Sequence, residues 1–172
     1  METDKYVFFY GHSKIKSNHN VFSQWYICAF VETLNDGTQL EYSSTEQYMM
    51  AHKAILFNDA ECLAKILASN DPKDIKAMGR KIRNFNEKKW DKYKLNIVIK
   101  GNRLKFGQNP DLMKILLKTG NKMIVEASPY DKIWGIGLNA SDAIKTPVEQ
   151  WPGQNLLGKA LMAVRSGNLG KT

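Results

Sequence analysis

The tripeptide Asn35-Asp36-Gly37 divides the first third of the chain into two β-branched and aromatic runs. WYICAFVETL (25–34) precedes it and TQLEY (38–42) follows. Asp36-Gly37 suits the positive φ of a tight hairpin turn, so an antiparallel pair is predicted there. Beyond residue 43 the spacing becomes helical and stays so for most of the chain. Helices are predicted over 44–57 and over DAECLAKILAS (59–69). Asp71-Pro72 supplies a cap and a first-turn proline for the next helix. A long helix runs from about Asn86 to Phe106, with Trp90, Tyr93, Ile97, Gly101 and Leu104 as its expected buried face. Another starts at Asn109-Pro110 and runs through Leu117. The last, NLLGKALMAVRS (155–166), has an apolar face at Leu157, Leu161 and Val164, with Ala160 beside it. KYVFFY (5–10) and NKMIVEAS (121–128) read as further strands. The fold class expected is α+β and mainly helical, one domain over residues 1–172 with a small, mostly antiparallel sheet. Residues 129–154 form a long loop rich in Gly, Pro and Asx, and loops of that length are commonly functional.

The 172 residues are 43% hydrophobic and 24% charged, an ordinary globular composition with enough chain for a proper core. No apolar run is long enough to span a bilayer, so no membrane association is expected. Acidic residues precede the short apolar stretch of METDKYVFFYGHSK, which is unlike a secretory signal. The two cysteines, Cys28 and Cys62, lie in segments that read as buried, which fits a reducing, cytoplasmic setting. The net charge of +8 favours encounter with polyanions such as nucleic acid, nucleotides or phosphorylated metabolites. The densest basic cluster, Lys73 to Lys94, holds nine basic residues around one tryptophan and one tyrosine.

The segment SSTEQYMMAHKA (43–54) carries the sharpest question. Glu46, Met49, Met50 and Lys53 share one helical stripe, so two opposite charges sit on a face that should be buried. One reading is structural: Ser43 and Glu46 form a capping box and Lys53 snorkels to water. The other is that the stripe lines a pocket. Two loops offer further chemistry. In YDKIWGIG (130–137), glycines allow close backbone approach, a tryptophan offers a flat surface, and Asp131 can accept ribose hydroxyls. A tight turn packed by a core tryptophan is the plain alternative. In YGHSKIKSNHNVFSQWY (10–26), Gly11, His12, Ser13 and Ser23 can present amides and hydroxyls to phosphates. Arg80, after Gly79, is placed for a phosphate contact or simply for the helix dipole. His12, His19 and His52 show no zinc spacing, and nucleophile and dinucleotide motifs are absent, so neither metal nor cofactor is expected. Carboxylates, tryptophans, glycine turns and a lysine suit cleavage of a glycosidic bond, above all an N-glycosidic one whose leaving group is a flat heterocycle.

FFYG (8–11), FSQWY (22–26), TEQYMMAHKA (45–54), AMGRKI (77–82), Trp90, KFGQN (105–109), VEASPYDKIWGIGL (125–138) and NLLGKALMAVR (155–165) occur in the order seen in the NADAR, or YbiA-like, family. The chain resembles that family over nearly its whole length, with FSQWY where some members have FSNF. The resemblance implies N-glycoside hydrolysis. One associated activity removes ADP-ribose from guanine in nucleic acid or nucleotides, in some members opposing a partner ADP-ribosyltransferase. Another cleaves ribosylamino-pyrimidine phosphates of early riboflavin synthesis. A non-catalytic ADP-ribose or nucleotide reader is the competing class. The resemblance implies a catalytic set of Glu46, Lys53 and Asp131. It implies substrate binding by Tyr10, Gly11, His12, Phe22, Ser23 and Trp25, and by Arg80, Trp90, Trp134 and Gly135. The expected substrate cleft lies between the first helix and the two loops.

Overall fold

The computed structural model describes residues 1–11 and 18–167. In chain order the elements are β1 (Tyr6–Phe9), β2 (Phe30–Thr33), β3 (Gln39–Tyr42), α1 (Thr45–Leu56), α2 (Ala60–Leu67), α3 (Pro72–Gly79), α4 (Glu87–Gln108), α5 (Pro110–Lys118), β4 (Met123–Glu126), α6 (Ala140–Lys145) and α7 (Leu156–Ser166), with 3-10 turns at Asn18–Phe22 and Val148–Gln150. The architecture is α+β and mainly helical. The strands form two separate pairs, β2–β3 antiparallel and β1–β4 parallel. The chain divides into two compact units: a central one, Gln24–Asn109, and a terminal one, Met1–Ser23 with Pro110–Thr172.

In the central unit the predicted hairpin forms, with Phe30 opposite Tyr42 and Thr33 opposite Gln39. Gly37 takes the left-handed backbone that the turn requires, φ +86°. The first strand is shorter than the apolar run 25–34 suggests, and residues before Phe30 are irregular. Its edge is covered by a side chain: Gln108 accepts from the Val31 amide at 2.8 Å and donates to the Val31 carbonyl at 2.7 Å. That amide stands in for a missing neighbour strand.

Helix α1 packs against α2, α3 and α4 and is the centre of this unit. Its cap lies one residue later than the Ser43–Glu46 box. Ser44 Oγ accepts from the Gln47 amide, and Gln47 Oε1 accepts from the Ser43 amide at 2.7 Å. Gln47 Nε2 donates to the carbonyls of Ile66 and Ser69, closing the end of α2. On another face of α1, Glu32 of β2 accepts from the hydroxyls of Tyr42 and Tyr48 and lies 2.7 Å from His52 Nε2. Burial and the adjacent Glu32 carboxylate push both phenols well above the ordinary tyrosine range.

The buried face of α4 differs from the expected one. It consists of Lys94, Val98, Gly101, Asn102, Lys105 and Phe106, while Tyr93 is exposed and Trp90, Ile97 and Leu104 are only partly buried. An apolar tally misplaces the stripe because the helix buries polar groups that have partners. Asn102 donates to Gln24 Oε1 and to the Val98 carbonyl. Lys105 is fully buried, its ammonium over the rings of Tyr26 and Phe106.

In the terminal unit β1 and β4 pair in register from Tyr6–Met123 to Phe9–Glu126. Phe8, Val125, Ala127, Ile136 and Ala143 form a core cluster, with Trp151 packed against it. The far edge of β4 is covered as β2's is: Asn155 donates to the Ile124 carbonyl and accepts from the Glu126 amide. The predicted apolar face of α7, Leu157, Ala160, Leu161 and Val164, is wholly buried. The long loop contains the short helix α6, capped by Asn139, which accepts from the Asp142 amide.

Burial pushes the Lys105 ammonium from the ordinary 10.5 down to about 8, with nearby Cys28 opposing the shift. Between these values the unfolded chain binds more protons than the folded one, so stability rises with pH across the window. The expected rise from this group is on the order of 3 kcal/mol. Urea unfolding at pH 7.5 and pH 10.5 will show that rise in the wild type and its loss in Lys105→Met. An equal rise in both proteins refutes the assignment.

Candidate active site

Helix α1 carries Glu46 and Lys53 two turns apart. Glu46 is buried, 4% exposed, and its amide donates to the Gln24 carbonyl at 2.9 Å. Because Ser44 and Gln47 cap the helix, the structural task proposed for Glu46 is done by its neighbour. Lys53 is half-buried. Its ammonium donates to the Gly79 carbonyl at 2.8 Å and lies 4.3 Å from the centre of the Phe85 ring and 5.4 Å from that of Trp90. It therefore sits where α3 ends and α4 begins. Burial lowers its pKa, while Cys62 and Glu46 oppose the shift through their charge. Lys53 and Glu46 thus act on one another electrostatically.

Gly79 lets α3 lie close against Met50 of α1. A Cβ there would lie 1.9 Å from Met50 Sδ, so a side chain at this position would have to displace the Met50 side chain or α3 itself. Arg80 follows directly and is exposed. Trp90 is partly buried. Trp25 is partly buried as well, with the Lys76 ammonium 5.7 Å from its ring centre. Glu46, Lys53, Arg80 and Trp90 thus belong to one region of the central unit. Phe85 and the Gly79 carbonyl belong with them and were not picked out from the sequence. The available signal was Phe85 between Asn84, at φ 57°, and Asn86, the α4 cap: a fixed turn that presents an aromatic ring.

The remaining candidates lie in the terminal unit, apart from His12 and Ser13, which are outside the described residues. Tyr10 is exposed, and Gly11 has φ +73°. Phe22 is fully buried, edge-on to Phe9 and stacked on His19, a core position. Ser23 is buried, its amide bonded to the Asn20 carbonyl. The 131–137 segment is a compact turn. Asp131 Oδ1 accepts from the amides of Ile133 and Trp134, both at 2.8 Å. The carbonyls of Ile133 and Trp134 in turn accept from Leu156 and Leu157, the first amides of α7. Gly135 has no room for a side chain: a Cβ would lie 2.9 Å from both the Asp131 and Glu126 carbonyls. The glycines and Asp131 therefore build the seat of a buried helix.

Among the described residues, no three His, Cys, Asp or Glu side chains gather as a metal site requires. Burial raises the pKa of both Cys28 and Cys62, the opposite of what an activated thiolate needs. No helix among the described residues is long and apolar enough to cross a membrane.

A family model described as the NADAR domain matches residues 8–167. N-glycosidase R617 of Acanthamoeba polyphaga mimivirus is 58% identical over 168 residues, which cover 98% of this chain and 99% of that protein. The chloroplastic riboflavin biosynthesis protein PYRR of Zea mays is 28% identical over 78% of this chain, which spans only 21% of that protein. The NMR structure of the E. coli protein YbiA superposes with a TM-score of 0.75 at 24% identity, over 99% of this chain and 89% of that one; it shows the same fold.

Asp131→Asn keeps the acceptor oxygen and is expected to melt within about 2 °C of the wild type. Asp131→Ala is expected to cost about 1–2 kcal/mol, as the loss of a cap does. Thermal melts of both variants test this, and an unaffected Asp131→Ala contradicts the turn-building role.

Proposed function

We infer that this chain, which belongs to the NADAR domain family, is an N-glycosidase that removes ADP-ribose from guanine bases. The observation that carries this reading is the pair on α1. A buried carboxylate and a half-buried amine lie on one stripe, and the Ser43 amide that a capping glutamate would take is held by Gln47 instead. Its closely similar mimiviral relative is named an N-glycosidase.

In this reading the bond broken joins the anomeric carbon of the ribose to a nitrogen of guanine. Positive charge builds on that carbon as the base departs. The Glu46 carboxylate faces that charge and takes a proton from the attacking water. The hydroxyl adds to the anomeric carbon as the carbon–nitrogen bond breaks, and the departing nitrogen takes up a proton from the now protonated Glu46 or from solvent water. Lys53 works as a charged ammonium, since a carbonyl acceptor and two ring faces all favour the cation. It orients Glu46 and attracts phosphate oxygens, with Arg80 as a second cation. Trp90 offers its face to a base. Asp131 contributes through the turn it builds or through a ribose hydroxyl, and Trp134 and Gly135 shape the same loop. Tyr10, Gly11, His12, Phe22, Ser23 and Trp25 make up the remaining binding set of this reading. The activity answers an ADP-ribosyltransferase that makes the bond.

A second substrate is the ribosylamino-pyrimidine phosphate that the family resemblance implies, and the likeness to PYRR, which is named a riboflavin biosynthesis protein, favours it. Side-by-side incubation with ADP-ribosylated guanosine and with that phosphate, followed by chromatography, tests the choice. Free guanosine from the first and slow turnover of the second are expected. Intact ADP-ribosylated guanosine overturns the proposal, and a protein that binds it without turnover is a reader. Because Lys53 acts charged, kcat/KM is expected to fall on the alkaline side with a midpoint below 10.5, the ordinary lysine value. Borohydride added during turnover is expected to trap nothing; a Lys53 adduct would make the lysine a Schiff-base nucleophile instead.

A further inference from the structure

The excess charge of the chain sits in one place. Residues 76–105 hold eleven basic and two acidic side chains, so the other 142 residues are nearly neutral, with fourteen basic against fifteen acidic. The folded structure sorts these charges further. At 3.6 residues per turn, Lys89, Lys92, Tyr93, Asn96, Lys100 and Arg103 of α4 fall within an arc of about 100°. All six are exposed. The two acids of the segment, Glu87 and Asp91, lie on the other side of the helix, and Asp91 is paired there with Lys94. From Lys89 to Arg103 the stripe extends about 21 Å at 1.5 Å per residue. On α3, Lys73, Lys76 and Arg80 are exposed at steps of three and four and form a second stripe.

The two stripes lead to one point. The α3 stripe ends at Arg80, next to the Gly79 carbonyl that holds Lys53. The α4 stripe begins at Lys89, next to Trp90, whose ring Lys53 faces. Two aromatic residues are exposed along the route, Phe85 at 46% and Tyr93 at 39%. A face that serves solubility alone intersperses both signs; an acid-free basic stripe is the pattern that tracks a phosphate backbone. Exposed rings between the cations suit unstacked bases. The α4 stripe has no exposed aliphatic side chain, so an anionic membrane is a poorer fit.

We propose that the α3 and α4 stripes form a track that binds single-stranded nucleic acid through its phosphates and leads it past Lys53. The proposal rests on the hydrolase reading for what happens at Lys53, but binding along the track does not require turnover. The residues assigned to it are Lys73, Lys76, Lys92, Lys100 and Arg103, with Tyr93 and Phe85 as stacking surfaces.

The test is fluorescence anisotropy of an unmodified, labelled 20-nucleotide single strand against the full chain at several salt concentrations. Micromolar to submillimolar binding at physiological salt is expected, with log affinity falling linearly against log salt. The triple variant Lys92→Gln/Lys100→Gln/Arg103→Gln is expected to bind at least about tenfold more weakly, with a salt slope smaller by about 2, three phosphates at about 0.7 each. A charge-matched control, Lys118→Gln/Lys145→Gln/Lys159→Gln, is expected to keep the wild-type slope. Far-UV circular dichroism checks that both variants fold. Turnover of ADP-ribosylated guanosine should be unchanged in the α4 variant, while KM on an ADP-ribosylated oligonucleotide rises. Equal slopes for the two variants, tighter binding to phosphatidylserine vesicles than to the strand, or no strand binding overturns the track. If the strand binds as expected but no substrate is turned over, the hydrolase reading falls and the track stands.

Discussion

The first two turns of α1 are buried almost all round, from Thr45 to Ala51, and this constrains everything near them. Every polar group there must find a partner inside the protein or cost stability. Gln47 meets that demand with both ends of its amide, at the start of its own helix and at the end of α2. Tyr48 and His52 meet it through Glu32. These contacts fix α1 in position and angle without drawing on Glu46 or Lys53. The helix is thereby held on several sides, and Glu46 and Lys53 lie on a further stripe, where Lys53 reaches the Gly79 carbonyl at the end of α3.

Short strands pose a related problem, since a two-stranded pair leaves an edge on each side. Both pairs solve it with a carboxamide. Gln108 doubles back on β2 at Val31, and Asn155 does the same for β4 at Ile124 and Glu126. The Asn155 contact also ties β4 to the start of α7, whose first amides are taken by the carbonyls of the Asp131 turn. One substitution at either amide therefore disturbs a strand and a helix end together.

Much of this was legible in the sequence. Local rules located the hairpin at Asp36-Gly37, the cap at Asp71, the start of the long helix near Asn86, and the apolar face of α7, because each depends on a few adjacent residues. The face of α4 was not legible, because Asn102 and Lys105 are buried against Gln24 and Tyr26, which are distant in sequence. The α1 cap reads as Ser43 from its spacing to Glu46 and lies at Ser44, because the contacts of Gln47 decide the register. The motif around Asp131 and Trp134 was visible as a tight, glycine-bearing turn, but its link to the amides of α7 crosses more than twenty residues. That Glu46 and Lys53 share one stripe of α1 followed from helical spacing alone. The ring of Phe85 beside the ammonium did not, because it comes from a turn between two helices.

The account turns on Glu46 being used for bond cleavage. Single-turnover rates for release of guanosine from ADP-ribosylated guanosine, with wild type and Glu46→Gln compared at equal melting temperature, test it most directly. The account predicts a fall of at least about a hundredfold in Glu46→Gln, the contribution expected of a positioned general base. A folded Glu46→Gln protein that releases guanosine at the wild-type rate would contradict it.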